Sequence, residues 1–86
     1  MHKTEIEYEG GLEKLANDIS DLRYDKLEDF LNKLSEKLFK DALADYKRER
    51  PQLASCLNYA HYFVRLSRDQ IRNAWKISEP YMLETK

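Results

Sequence analysis

Residues 51–78 read PQLASCLNYAHYFVRLSRDQIRNAWKIS, and no glycine or proline interrupts 52–78. Leu53, Leu57, Ala60, Val64, Ser67, Ile71, Ala74 and Ser78 recur at alternating steps of four and three. That is the spacing of one helix face. Cys56, Tyr59, Phe63 and Leu66 widen the face over its first half, and Trp75 over its second. Arg50-Pro51 marks the start, because a residue before proline avoids helical geometry while proline suits the first helical position. The pattern predicts a helix over 52–78. Ser67-Arg68-Asp69-Gln70 also fits a capping box, with Leu66 and Ile71 placed for a hydrophobic staple. The stretch is therefore one long helix or two joined at 66–67, and the long helix is favoured. Pro80 is expected to stop it, leaving 80–86 as a loose tail.

The preceding segment has a similar length and the same kind of pattern. Leu27, Leu31, Leu34, Leu38 and Ala42 form a stripe widened by Phe30, and Phe39, Leu43 and Tyr46 lie on an adjacent one. Asp25-Lys26-Leu27-Glu28 reads as a capping box, and Lys47, Arg48 and Arg50 suit the negative end of a helix dipole. A helix over 25–48 follows. At about 1.5 Å per residue the two segments span roughly 36 and 40 Å, and matched helices joined by a short turn form an antiparallel hairpin. Leu34, Leu38, Leu57 and Phe63 are its expected core.

Further upstream, Leu12, Leu15, Ala16, Ile19 and Leu22 predict a short helix over 12–23, packed along half of the hairpin. Glu5-Ile6-Glu7-Tyr8-Glu9 alternates as a strand would, but no second strand is visible to pair with it. Residues 1–11 are expected to be an extended arm, with Gly10-Gly11 breaking any regular element. The expected fold is a single all-α domain over 1–86: a bundle of three helices, or four if the last breaks at Ser67.

Composition narrows the function classes. The chain has 86 residues, 42% apolar and 36% charged, with a net charge of −1. Such a chain is too polar for a membrane protein and too apolar for a disordered one. The N-terminus lacks the apolar run of a signal peptide, and a single cysteine, Cys56, cannot close an internal disulfide. A cytoplasmic location is expected. Two histidines and one cysteine are too few for a protein-only zinc site. Cys56 and His61, five apart, fall on different helix faces. No phosphate loop or calcium loop is present. The expectation is no enzyme, no catalytic residue, no metal and no cofactor.

Two features point to binding. Residues 1–45 carry 12 acids and 7 bases, whereas 46–86 carry 4 acids and 8 bases. Arg65, Arg68, Arg72 and Lys76 recur at steps of three, four and four, making a cationic stripe. Like charges one turn apart repel, so an acidic surface should offset them. The acidic arm or the polar face of the first helix would serve within the chain, and an anionic partner would serve outside it. Tyr59 and Tyr62 stand beside the stripe, and tyrosine and arginine are enriched at protein interfaces. These six residues form the candidate partner surface.

The leading expectation is a protein-binding or adaptor domain that docks a protein partner or itself, as a homodimer forming a larger bundle. The alternative is a nucleic-acid-associated regulator using the basic stripe. Ser67–Asn73 looks like the start of a recognition helix, but the turn that a helix-turn-helix needs soon after Leu57 is missing.

Overall fold

The computed structural model describes residues 2–84, with side chains as far as Tyr81. Three helices follow in order: α1 (Gly11–Ser20), α2 (Tyr24–Lys47) and α3 (Pro51–Glu84). The described residues contain no strand. The chain is all-α, as its periodicity predicts.

α2 and α3 form the antiparallel hairpin. Three residues, Arg48 to Arg50, connect them. Glu49 sits in the left-handed region with φ 60°. Its amide donates to the Tyr46 carbonyl at 3.1 Å, and the Arg50 amide donates to the Asp45 carbonyl at 2.9 Å. This pair of bonds is a Schellman cap, which reverses the chain while satisfying two carbonyls of the last turn. The Arg50 guanidinium lies 3.5 Å from the nearly buried Asp45 carboxylate and closes the corner. Pro51 then occupies the first position of α3, where its missing amide costs nothing.

The seam between the two helices has a seven-residue repeat. On α2, Tyr24, Glu28, Leu31, Ser35, Leu38, Ala42 and Asp45 are buried or half-buried. On α3, Ala54, Leu57, His61, Val64, Arg68, Ile71, Trp75 and Ser78 are likewise covered. The 4-3 spacing is that of a left-handed helix pair. Small side chains set the distance: Ala42, Ala54 and Ser35 are among the few fully buried residues. Ser35, only 2% exposed, meets His61 from the opposite helix. The Ser35 Oγ is 2.8 Å from His61 Nδ1 and 3.4 Å from the His61 carbonyl, while Nδ1 is 2.9 Å from the Ser35 carbonyl. With the ring proton on Nδ1, imidazole donates to the Ser35 carbonyl and the hydroxyl donates to the His61 carbonyl. Each helix is then tied to the other's backbone. Phe39 packs on the imidazole, with ring centroids 5.1 Å apart.

α3 runs unbroken through Ser67, as the favoured long-helix reading predicts; the Ser67 hydroxyl donates back to the Phe63 carbonyl at 3.1 Å and caps no new helix. Other sequence expectations are corrected. Pro80 does not end α3, which continues to Glu84. Proline removes one backbone bond, and the carbonyl it leaves free belongs to exposed Lys76, where water can replace the bond. Residues 80–84 are therefore helix and not tail, and residues 85 and 86 lie outside the described ones. Asp25 is not a cap either: Arg23 takes the N-cap position of α2 and grips Asp25 with two bonds of 2.7 and 2.8 Å. Glu28 reaches across the hairpin to Arg72 instead of back to the cap.

The largest difference concerns α1 and the core. Packing between helices is confined almost wholly to α2 against α3. α1 packs little against the hairpin: Leu12 is 70% exposed, and Leu15 and Ile19 are only half-buried. The arm turns back on α1 and not on the hairpin. The Tyr8 hydroxyl donates to the Asp18 carboxylate, which Lys14 also holds at 2.7 Å. Gly10 and Gly11, at φ 91° and 71°, make that reversal. A Cβ on Gly10 would lie 2.7 Å from Lys14 Cβ, so only glycine fits there without a shift. Of the four expected core residues, Leu38 and Leu57 are half-buried, but Leu34 is 38% and Phe63 60% exposed. They point away from the seam because the apolar arc of each helix is wider than one helix contact can cover.

Two stability outcomes follow. Ser35→Leu should cost about 1–3 kcal/mol, since a larger side chain must force the helices apart. Glu49→Gly should stabilise by up to about 1 kcal/mol by relieving the left-handed penalty. Urea unfolding followed by circular dichroism at one fixed chain concentration checks both, and the opposite sign for either would contradict the seam or the turn as described.

Candidate protein-docking surface

The hairpin has two faces, one on each side of the seam. Helix geometry sorts the residues. On α3, Asn58, Tyr62, Arg65, Asp69, Arg72 and Lys76 recur at steps of three and four to one side. Ala60, Phe63, Ser67, Gln70 and Ala74 recur on the other. α2 is divided in the same way. Leu27 and Leu31 line one shallow groove with Phe63, Leu66, Ser67, Gln70 and Ile71 of α3. Phe39, Leu43 and Tyr46 line a second groove near the turn, with Ser55 and Asn58 opposite.

The basic stripe lies mostly on the second face, but it is not continuous. Arg68 turns into the seam, where its side chain is 16% exposed. Its Nη1 donates to Asn32 Oδ1 at 2.6 Å, and its Nε and Nη2 donate to Asp69 at 3.1 and 2.8 Å. Arg72 donates from Nε to Glu28 Oε2 at 2.8 Å. Arg65 and Lys76 form no ion pair among the described residues. The acidic surface that offsets the stripe is thus Glu28 and Asp69, not the arm or α1. Hydrogen bonding from Arg68 holds the Asp69 carboxyl below the usual carboxylate range, and the Glu28 carboxylate raises the Arg72 guanidinium above its ordinary value. Tyr59 and Tyr62 are both more than half exposed, and Tyr62 leans on Phe63 with ring centroids 5.7 Å apart. The structure therefore separates the six candidate residues: one in the seam, one paired across it, four out in solvent.

The first face is different in kind. Leu27, Leu31 and, two turns from Leu27, Leu34 give it an apolar floor on α2. Phe63, Leu66 and Ile71 supply the α3 side. Phe30, Leu34, Phe63 and Leu66 are all large, apolar and exposed. Sequence periodicity marks every one of these positions as apolar but assigns them to a core. The signal that distinguishes them is width: the apolar arc on each helix exceeds what one neighbour occupies. Among the described residues no three His, Cys, Asp or Glu side chains converge as metal ligands would. The surface offers shape and apolar area rather than reacting groups.

The ion pairs set a pH dependence. Arg23 beside Asp25, and Arg68 beside Asp69, depress both carboxyls in the folded chain. A depressed carboxyl binds more protons when unfolded, so it adds stability above its unfolded pKa of about 4 and loses it as pH falls through the folded value. The thermal midpoint should be flat near neutrality and fall below about pH 4. Asp69→Asn should lower the neutral plateau and flatten the acid limb, whereas a fall on raising the pH from 5 to 8 would contradict the pairing. Across the hairpin, Glu28→Arg combined with Arg72→Glu should recover most of the midpoint lost by either change alone, with the coupling shrinking as salt rises.

Compared with known protein families, characterised proteins and solved structures, the chain matches none, so its function rests on this geometry.

Proposed function

We propose that this chain is a small cytoplasmic protein-docking hairpin and that the face carrying Leu27, Leu31, Leu34, Phe63 and Leu66 receives a protein partner. One observation carries the reading. The backbone extends 52 × 30 × 13 Å. The shortest dimension is a single layer of helices, whereas a stable domain packs at least two layers around its core. An apolar face in a one-layer molecule has nothing of its own to meet. Contiguous exposed apolar patches mark interaction sites in soluble proteins. Among the described residues no helix is long and apolar enough to cross a membrane, so a lipid-spanning use of that face has no support.

The alternative, a nucleic-acid-associated regulator using the α3 stripe, draws less support. Phosphate binding needs free cations along one track. Arg68 is turned inward and Arg72 is held by Glu28, with Asp69 between them. Arg65 and Lys76 remain, eleven residues apart.

Photo-cross-linking tests the reading. Benzoylphenylalanine replaces Phe63 on the apolar face or Lys76 on the charged one, and the full chain is irradiated in its native cells. Protein adducts should form from position 63 and not from 76. Adducts from 76 alone, or none from 63, would overturn the assignment of the face.

A further inference from the structure

The hairpin has more surface than a free chain of its mass should keep. A folded monomer of 10.3 kDa is expected to expose roughly 5,400 Å². This chain exposes 7359 Å². Its radius of gyration is 15.9 Å, against about 12 Å for a compact chain of 86 residues. The excess, about 2,000 Å², is shared among the arm, α1 and the two hairpin faces, and less than half of it on the apolar face supplies the ~800 Å² that each partner of a standard interface buries. No side chain of large volume is fully buried, so the hairpin by itself lacks a core able to offset its conformational entropy. Whatever covers the face must be present whenever the chain folds.

The chain cannot cover the face itself. α1 has 10 residues and spans about 15 Å, while α2 has 24 and spans about 36 Å. Only Asp21 to Arg23 connect α1 to α2, and Arg23 is anchored by Asp25 and by Trp75, whose ring lies 5.2 Å from the guanidinium carbon.

We infer that the occupant is a second copy of this chain, two hairpins packing apolar face to apolar face as a two-fold four-helix bundle. The inference rests on the docking reading above and names its partner. A second copy is present in equal amount wherever the chain is made. It has the same length of face and the same apolar floor, so the surface meets its own like, as a two-fold interface requires. A net charge of −1 gives two copies no repulsion to overcome. Arg65, Asp69, Arg72 and Lys76 lie on the opposite face and stay in solvent, and Lys37 and Asp41, paired at 2.6 Å beyond Leu34 on the apolar side, stay at its rim toward the turn. Phe63, standing out from the rim, enters the groove of the facing copy between its Leu27 and Leu31 on one side and Leu66 and Ile71 on the other. The assembly acquires the second layer, and Leu34 and Phe63 become the core that their spacing announces.

Sedimentation equilibrium of the purified full chain tests this, with thermal unfolding over about a hundredfold range of concentration. The expected result is twice the 10.3 kDa chain mass and a midpoint that rises with concentration. Phe63→Glu should halve the mass. Because that variant can also unfold, a second measurement uses the otherwise unchanged chain with benzoylphenylalanine at 63, prepared as a mixture of isotopically heavy and light material. Heavy–light cross-linked pairs from position 63, and none from 76, support the inference. A chain at 10.3 kDa with a concentration-independent midpoint overturns it, whether that chain is folded or not. A dimer cross-linking from 76 and not from 63 overturns it as well. If the purified chain is monomeric while position 63 captures a different protein in cells, self-association fails and the docking reading stands. If position 63 captures nothing in either setting, both fail.

Discussion

The bonds between Ser35 and His61 fix the distance and register of the hairpin, and everything else is arranged around them. A serine this thoroughly enclosed must spend its hydroxyl within the protein, and an imidazole in a helix seam must do the same. Each finds the other's backbone. Two helices that might slide along an apolar stripe are thereby held at one position, with alanines at 42 and 54 letting the backbones approach toward the turn. The polar pairs that continue the seam, Asn32 with Arg68 and Glu28 with Arg72, fall into line at the spacing this register imposes. A uniformly leucine-lined contact would hold more area but specify the alignment less well.

That choice has a structural cost. A seam in which serine, alanine, histidine and arginine alternate with Leu38, Leu57, Val64 and Ile71 leaves those large side chains only half-buried, and Phe30, Leu34, Phe63 and Leu66 lie beside it. The hairpin is therefore better specified than it is stabilised. One face carries Leu27, Leu34, Phe63 and Leu66, the other carries Arg65, Asp69, Arg72 and Lys76 with an apolar groove of Phe39, Leu43 and Tyr46 near the turn, and the arm is held to the short α1 through Tyr8, Lys14 and Asp18. The proposed docking would account for the apolar surface that the hairpin leaves uncovered.

Much of the fold is legible in the sequence. The three helices and the antiparallel pairing follow from periodicity, from Arg50-Pro51 and from matched lengths. The seam is not, and the reason is physical. Leu53, Ala60, Ser67 and Ala74 look like the inward positions of α3, while the structure uses Ala54, His61, Arg68 and Trp75, one residue further on. Both sets alternate with Leu57, Val64, Ile71 and Ser78. A period identifies an apolar arc but not its centre when the arc is wider than one neighbour covers. Arg68 and His61 look outward by type, and only the partners Asn32 and Ser35, far off in sequence, make their inward placement tolerable. The capping residue at 25 misled for a related reason: its carboxylate takes the Arg23 guanidinium as its partner in place of a first-turn amide. At the candidate surface, Tyr59, Tyr62 and Arg65 are exposed as their types suggest, whereas the face of Leu34 and Phe63 was hidden by the assumption that apolar means interior.

The stacking of Arg23 on Trp75 gives the molecule an optical handle. Trp75 is the sole tryptophan. It sits at the end of the hairpin away from the turn, beneath a guanidinium that belongs to the junction between α1 and α2. Its emission therefore senses whether the open end of the hairpin is zipped, while the turn, 24 residues away along α3 from Trp75 to Pro51, contributes little to the signal. Fraying from the open end and wholesale melting become separable events in a single cuvette, without a label and without altering a residue.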